Sequence, residues 1–392
     1  MLSEKRIVLG VSGGIAAYKS VEISRRLVDA GAFVSPIMTS AAKKFIGEVT
    51  LSALASEPVK SSLWDDDDPI PHTTLGQQAD LILVAPATAK LIGTYAAGIS
   101  SDLLSATLLA TRAPVILCPA MHTEMWEHPA VQENINILKS RGVVIVDPED
   151  GILAGGDLGK GRLAGVEAIL SEVESTLTKK DLSNLRLLIT AGGTREPIDP
   201  VRYITNKSSG KQGYALAKAA HLRGAEVTLV TTMPDDAPFG VEVLCAETAS
   251  DMRNVVMGIQ SEYDVIIMAA AIADFRPAEI SEQKIKKRKG STNLILENTH
   301  DFLIDLGKGK RPEQTIVGFA AETEHLEENA LEKLERKHLD LIVANNVSHP
   351  GVGFSYDTNE VTIMSQDSKW TLPLSDKRII ADGILDALLE VR

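Results

Sequence analysis

Short, nearly uninterrupted apolar runs recur along this chain, and between them apolar residues return every three or four positions. The first pattern is that of a strand buried on both faces, the second that of an amphipathic helix packed on such a sheet. In the first half, strands are predicted at 6–11, 33–38, 80–85, 114–118 and 142–146, with helices including 16–30, 41–55 and 126–141. The segment Asp150 to Gly165 breaks the rhythm: it holds six glycines and no periodicity, and predicts a long loop of the kind that serves as a lid. A short helix over 166–178 and the polar stretch Thr178 to Asn184 follow, and the domain boundary falls there, dividing the chain into 1–180 and 181–392. The second half restarts with strands at 186–190, 225–231 and 263–269 and helices at 211–223 and 248–260. Strands at 292–297, 314–319 and 340–344, with a helix at 324–338, are expected to complete a parallel pattern. The end differs: 359–364 and 369–373 read as a hairpin before a final helix at 375–390. The alternation predicts α/β architecture throughout.

Composition narrows the function classes. A length of 392 residues suits two or three domains, and a net charge of -13 argues against a nucleic-acid partner. Two cysteines, Cys118 and Cys245, build neither a disulfide framework nor a zinc cage, which fits a reducing cytoplasm. The charged N-terminus runs straight into a strand, so it does not read as a signal peptide. The longest apolar stretch, Val265 to Ala273, is too short to span a bilayer. The acidic run Asp65 to Asp68 reads as a solvated loop.

Candidate chemistry lies where predicted strands end. Ile7 to Lys19 and Leu187 to Pro197 are both strands that run into small residues, the pattern of a phosphate-cradling turn. A second glycine-rich stretch with its own cations, Asn206-Lys-Ser-Ser-Gly-Lys-Gln-Gly213, follows the later opening. His72 follows two prolines in Pro69-Ile-Pro-His, which predicts a loop at a surface or cleft. Ala85-Pro-Ala-Thr-Ala-Lys90 and Cys118-Pro-Ala-Met-His-Thr-Glu-Met-Trp126 close two further strands, where open α/β sheets bind ligands. His122 and His128 are six apart with no HExxH frame, so zinc is not supported; Cys118 reads as a small core residue.

Taken together, Gly-Gly-Ile-Ala-Ala-Tyr-Lys, His72, Ala-Pro-Ala-Thr-Ala, Pro-Ala-Met-x-x-x-Met-Trp and Gly156 to Arg162 resemble the flavin-dependent cysteine decarboxylases over roughly residues 5–180. The resemblance implies a flavodoxin-like or Rossmann-like parallel-sheet flavoprotein domain holding FMN. Gly13, Gly14, Thr39 and Ser40 would lie near its phosphate and ribityl chain, and Thr88 and Ala89 near the flavin. It further implies that the flavin oxidises a substrate thiol to a thioaldehyde, that the adjacent carboxylate leaves, and that hydride then returns. His72 matches the family's catalytic histidine, which takes or steers a proton during thiol oxidation. Two positions depart from the family pattern. His122 replaces an asparagine that contacts the substrate carboxylate, and Gly155 replaces a lid cysteine that protonates the reduced intermediate. Either this half stops at an oxidised enethiol, or another donor serves: His122 supplies the proton that Gly155 cannot, or it only replaces a binding contact and water or substrate supplies the proton.

In the second half no GxxxxGK[ST] is present, and the first glycines do not follow GxGxxG, so neither a P-loop nor an ordinary NAD site is supported. Lys284-Ile-Lys-Lys287 follows Ala269-Ala-Ala-Ile-Ala-Asp-Phe-Arg276, and Lys333 and Lys337 share one face of a predicted helix. These motifs, with Thr190 to Arg202, Asn206 to Gly213 and Val317 to Thr323, resemble the phosphopantothenate–cysteine ligases from about residue 185 onwards. That likeness implies a Rossmann-like (ribokinase-like) ligase domain that forms an acyl-cytidylate from CTP, with Mg²⁺ as the nucleotide's partner, before cysteine displaces CMP. Carried over by motif, Lys284, Lys333 and Lys337 face the CTP phosphates. Met268, Ala269, Ala270, Asp274 and Phe319 surround the nucleotide, with His300, Asp301, Phe302 and Leu303 nearby. Asn206 handles the acyl-cytidylate and Arg202 serves the second step. The order of the halves resembles that of the fused bacterial proteins of coenzyme A biosynthesis. It implies a homo-oligomer, with trimeric decarboxylase and dimeric ligase contacts able to build a dodecamer. Two other readings are a non-catalytic flavin-binding regulatory protein and a nicotinamide dehydrogenase. The ligase half and the missing fingerprint respectively argue against them.

Overall fold

The computed structural model describes residues 2–64, 68–286, 293–346, 348–349, 351–353 and 356–392. Asp65 to Asp67 of the acidic run, Lys287 of the basic run and residue 292 of one expected strand lie outside these. The chain divides into two compact units, Met1–Lys179 and Lys180–Arg392.

The first unit is built on five parallel strands, β1 (Arg6–Val11), β2 (Phe33–Met38), β3 (Leu81–Ala87), β4 (Val115–Pro119) and β5 (Val144–Ile145). Alternation within β1 shows why its sequence carries no polar side chain from Ile7 to Val11. Ile7, Leu9 and Val11 enter one buried cluster and Val8 the cluster on the opposite face, so neither face of the sheet tolerates a polar series. The order β2-β1-β3-β4-β5 is that of flavodoxin-like sheets. Crossovers from β1 and β3 leave in opposite directions, and a crevice opens above their carboxyl ends.

Several local expectations are corrected. The glycine-rich stretch is not structureless: β6 (Glu149–Ile152) and β7 (Leu158–Arg162) form an antiparallel hairpin with a register shift at Glu149/Asp150. His72 is not on a loop but in the first turn of the helix Pro71–Gln78, because Pro71 occupies a position where a missing N–H costs nothing. The helix expected at 41–55 is interrupted, leaving Ala42–Lys44 and Glu48–Ser52 around Gly47. The helix expected at 126–141 divides into Thr123–Trp126 and Pro129–Ser140, since Pro129 starts a new helix capped by the His128 side chain.

The second unit contains β8 (Arg186–Ala191), the hairpin β9 (Arg195–Asp199) and β10 (Arg202–Thr205), β11 (Glu226–Thr231), β12 (Glu242–Cys245) and β13 (Val265–Met268). There follow β14 (Phe275–Pro277), β15 (Leu296–Asn298), β16 (Thr315–Glu322), β17 (Leu341–Asn346), β18 (Thr358–Met364) and β19 (Lys369–Asp376). The main sheet runs β12-β11-β8-β13-β16-β17-β18-β19. Its first six strands are parallel and, counted from β8, stand in the 3-2-1-4-5-6 order of doubly wound nucleotide-binding sheets. The expected hairpin forms the antiparallel edge, β18-β19. The strand expected at 292–297 does not join the parallel sheet. It is the short β15, paired antiparallel with β14 in a separate ribbon.

Close helix packing depends on Gly213 in the helix Lys211–Leu222. A Cβ there would stand 2.6 Å from Ala191 Cβ and 2.9 Å from the Thr190 carbonyl oxygen, so only glycine lets the helix settle on the end of β8. Gly213→Ala is therefore expected to destabilise the fold by about 1–3 kcal/mol, overpacking outweighing the helix propensity gained. Gly258→Ala, in the helix Ala249–Ile259 with no neighbour within 4 Å of the new methyl, is expected to stabilise by about 0.5–1 kcal/mol. Urea unfolding of the full chain measures both, and a neutral Gly213→Ala would contradict the packing account.

Candidate functional site

In the first unit, three turns meet above the carboxyl ends of β1, β2 and β3. Ser12 Oγ donates to the Pro86 carbonyl (2.8 Å) and accepts from the Thr88 N–H (2.9 Å), tying the first turn to the third. Gly13 packs on the second turn so tightly that a Cβ would stand 2.3 Å from Ala41 Cβ, while Gly14 looks towards Thr88. Thr39 Oγ1 accepts from Ala42 N–H, and Thr88 caps the helix Ala89–Ala96 through Leu91 N–H. Gly13, Gly14, Thr39, Ser40, Thr88 and Ala89 thus share one rim with short side chains and helix N-termini, a setting suited to an anion and a flat ring. No hydrogen bond joins His72 to these turns among the described residues; its Nδ1 is buried and unpartnered, a polar atom left for a ligand. Cys118 is fully buried in the core, and burial pushes its thiol well above the usual range, so it is no nucleophile.

The hairpin β6–β7 lies on the turn that follows β4. Met121 N–H donates to the Gly161 carbonyl (3.0 Å). Cβ atoms built at Gly161, Gly159 and Gly155 would stand 2.1 Å from Met121 O, 2.3 Å from Thr123 Oγ1 and 2.9 Å from His122 Cε1. The sequence showed the glycines but not their partners, because a hairpin this rich in glycine carries no period-two signal.

The second unit holds a cavity of about 320 Å³ above the ends of β8, β13 and β16. Its floor is Met268 to Ile272, continued by Phe319 and Ala320, and one wall is His300 to Leu303. Thr190 Oγ1 accepts from Ala270 N–H (3.1 Å) and Thr194 Oγ1 from Ala273 N–H (2.9 Å), fixing this floor to the first turn. Asn206 Nδ2 donates to the Ala271 and Ile272 carbonyls (3.3 and 3.0 Å), and Gly210 supplies a left-handed N-cap (φ 72°) to the helix that follows. Four lysines line the cavity, Lys211, Lys333, Lys337 and Lys377, against two aspartates, Asp274 and Asp301. The cavity is therefore locally cationic in an acidic chain. Lys337 pairs with Asp301 (2.8 Å) and Lys333 with Glu322 (2.5 Å), which holds both ammonium groups at the wall. His300 Nε2 meets Asp305 Oδ2 at 2.7 Å, and this contact holds the Asp305 carboxyl below its usual range.

The cavity gathers every second-unit residue singled out from the sequence except two. Arg202 instead grips the buried Asp199, whose carboxyl it holds far below the ordinary value, and donates to the Ile285 carbonyl (2.9 Å). Ile285 N–H also bonds Asp199, which puts the backbone next to Lys284 beside this cluster, and Lys284 is not among the lining residues. The sequence reading missed Lys377, Asn345 and Asn359. Lys377 stands alone at the start of the last helix, outside any motif, and reaches the cavity only because that helix packs beside Lys211–Leu222.

The family described as "Flavoprotein" matches residues 1–178, and the one described as "DNA/pantothenate metabolism flavoprotein C-terminal domain" matches 182–391. The coenzyme A biosynthesis bifunctional protein CoaBC of Bacillus subtilis is 44% identical over 396 residues, covering 99% of this chain and 97% of its own. The chain belongs to the family of coenzyme A biosynthesis bifunctional proteins. The member from Vibrio cholerae is 43% identical over 394 residues, with 99% of both chains covered. A crystal structure of the C-terminal domain of a CoaBC protein is 40% identical, covers 54% of this chain and 96% of its own, and has a TM-score of 0.45.

In this CoaBC family member, Lys377 is 5% exposed and its ammonium donates to the Gly353 (3.0 Å) and Tyr356 (2.6 Å) carbonyls. Burial pushes it down to about 8 from the ordinary 10.5, with Lys211 adding to the shift and Asp357 opposing it. The folded chain thus sheds this proton before the unfolded chain does. The charge costs stability below the folded value, and that cost fades as pH rises towards 10.5. The cavity meanwhile loses one positive charge between about pH 7 and 9. Inorganic pyrophosphate, titrated calorimetrically, is expected to lose more affinity over that range in the wild type than in Lys377→Met; parallel curves would contradict the assignment.

Proposed function

We propose that this chain makes 4′-phosphopantetheine from 4′-phosphopantothenate, cysteine and CTP, ligating in the second unit and decarboxylating in the first. The observation that carries the ligase half is the cationic cavity at the switch point of a 3-2-1-4-5-6 sheet. A carboxylate is a poor acyl donor because oxide is a poor leaving group. Attack on the α-phosphate of CTP makes a mixed anhydride and releases pyrophosphate, and the amine of cysteine then displaces CMP. Lys333 and Lys337 would take the charge that builds on the phosphates. Met268 to Ala270 and Phe319 would receive the nucleotide, and Asn206 the activated acyl group. Mg²⁺ would enter with the triphosphate, since this ion is usually held by one or two carboxylates plus phosphates, and Asp274 and Asp301 line the cavity. Lys284 and Arg202 would act from the adjoining Asp199 cluster, Lys284 on the phosphates and Arg202 in the second step.

The residues of the first unit fit FMN: a rim of small turns at the β1/β3 switch point, helix N-termini and the orphaned His72 Nδ1. When bound, FMN supplies a two-electron acceptor for the thiol-bearing carbon and a source of returning hydride. Gly13, Gly14, Thr39 and Ser40 would hold its phosphate and ribityl chain, Thr88 and Ala89 its ring. His72 would take the proton released as the thiol is oxidised.

The fully buried thiol of Cys118 and the free Cys245 suit a reducing cytoplasm. No helix among the described residues is long and apolar enough to cross a membrane. Both units expose large apolar side chains, Ile15, Tyr18 and Val49 in the first and Val201, Phe275 and Ile295 in the second. Such surfaces favour self-assembly; the family resemblance of each half implies trimeric contacts through the first and dimeric contacts through the second, up to a dodecamer.

Incubation with phosphopantothenate, cysteine and CTP, followed by mass spectrometry, tests both halves. Pyrophosphate, CMP and carbon dioxide are expected, with 4′-phosphopantetheine as the end product; no CTP-dependent pyrophosphate would defeat the reading. Lys337→Ala is expected to slow pyrophosphate release by about 10²-fold while leaving the bound flavin's absorbance unchanged.

A further inference from the structure

The hairpin β6–β7 meets the turn after β4 through three glycines, and each faces a different residue of that turn. At Gly161 and Gly159 the partners are the Met121 carbonyl and Thr123, whose Oγ1 is buried without a hydrogen-bond partner. At Gly155 the partner is the imidazole of His122. A Cβ on residue 155 would stand 2.9 Å from Cε1 and 3.5 Å from Nε2 of that ring, with Asp157 Oδ2 at 3.1 Å. The ring occupies the space a side chain at 155 would enter, so a side chain there requires the ring to shift.

The titratable groups bordering Gly155 are His122 and Asp157. Loss of carbon dioxide leaves a carbon–carbon double bond conjugated to sulfur, and returning it to a saturated thiol requires one proton on carbon and one hydride. Of the two, the imidazole carries ring N–H groups that can be handed to a reacting carbon, and histidine is the side chain most often used as a general acid. His122 is also exposed, so solvent can reload it.

We propose that His122 delivers this proton. The inference rests on the decarboxylase reading given above. The imidazolium N–H bond breaks and its proton goes to the carbon that lost the carboxylate. The π electrons of the double bond form the new C–H bond, and the sulfur lone pair closes a C=S bond. Hydride that the reduced flavin would supply to the sulfur-bearing carbon would leave a thiolate, which would take a proton from water.

Four chains test this: wild type, His122→Asn, Gly155→Cys and the double variant, each loaded with FMN and given phosphopantothenoylcysteine without oxygen. His122→Asn is expected to release carbon dioxide, accumulate product lacking a pair of hydrogens, keep its flavin bleached, and form the saturated thiol about 10²-fold more slowly. The double variant is expected to recover the saturated thiol. Independently of turnover, Gly155→Cys alone is expected to lower the melting temperature and expose the hairpin to protease, and His122→Asn to relieve both. A saturated product formed by His122→Asn at the wild-type rate, or strictly additive melting shifts, would overturn the proposal. No carbon dioxide from the wild type would instead overturn the decarboxylase reading.

Discussion

A side-chain hydroxyl at the end of the central strand fixes each half of this chain. In the first unit Ser12 Oγ clamps both the Pro86 carbonyl and the Thr88 N–H; in the second Thr190 Oγ1 receives the Ala270 N–H. Both clamps sit where crossovers diverge from neighbouring parallel strands, the place at which a doubly wound sheet opens a crevice. A turn at such a point has backbone groups that no strand neighbour can satisfy, and a buried orphan costs about 1–3 kcal/mol. The hydroxyl removes that cost and holds the two turns in one geometry, so the rim is organised before any ligand arrives.

Electrostatics then distinguishes the halves. The second cavity concentrates four lysines within a chain of net charge -13. Two are fixed by Glu322 and Asp301, and one is depressed by burial. Such an arrangement suits a polyanion whose charge grows as it reacts. The first rim presents small turns, helix N-termini and an unpartnered imidazole nitrogen instead, which suits one phosphate attached to a large planar ring. The ligation product carries the carboxylate that the flavin half removes, so the two sites act in sequence on one substrate.

Parallel strands were legible because both faces of each sheet are buried, and Ile7 to Val11 or Leu187 to Ala191 leave no polar alternation to misread. The cavity walls were legible wherever a motif carried them. Other features depend on contacts distant in sequence. The glycines of β6–β7 become a hairpin only on the turn Met121 to Thr123, and Pro71 converts a loop-like His72 segment into a helix start. Lys377 enters the cavity from the last helix, more than 160 residues from Lys211. Arg202 and Lys284 matched a motif but not the cavity, because Asp199 holds Arg202 and the backbone of Ile285, next to Lys284, beside it.

Hydrogen exchange of the full chain with and without CTP tests the central claim most directly. The account predicts protection concentrated at Ser208 to Gly213, Met268 to Ile272 and His300 to Leu303, with the Ser12, Thr39 and Thr88 turns unchanged. Protection at those first-unit turns, or none at the second cavity, would contradict it.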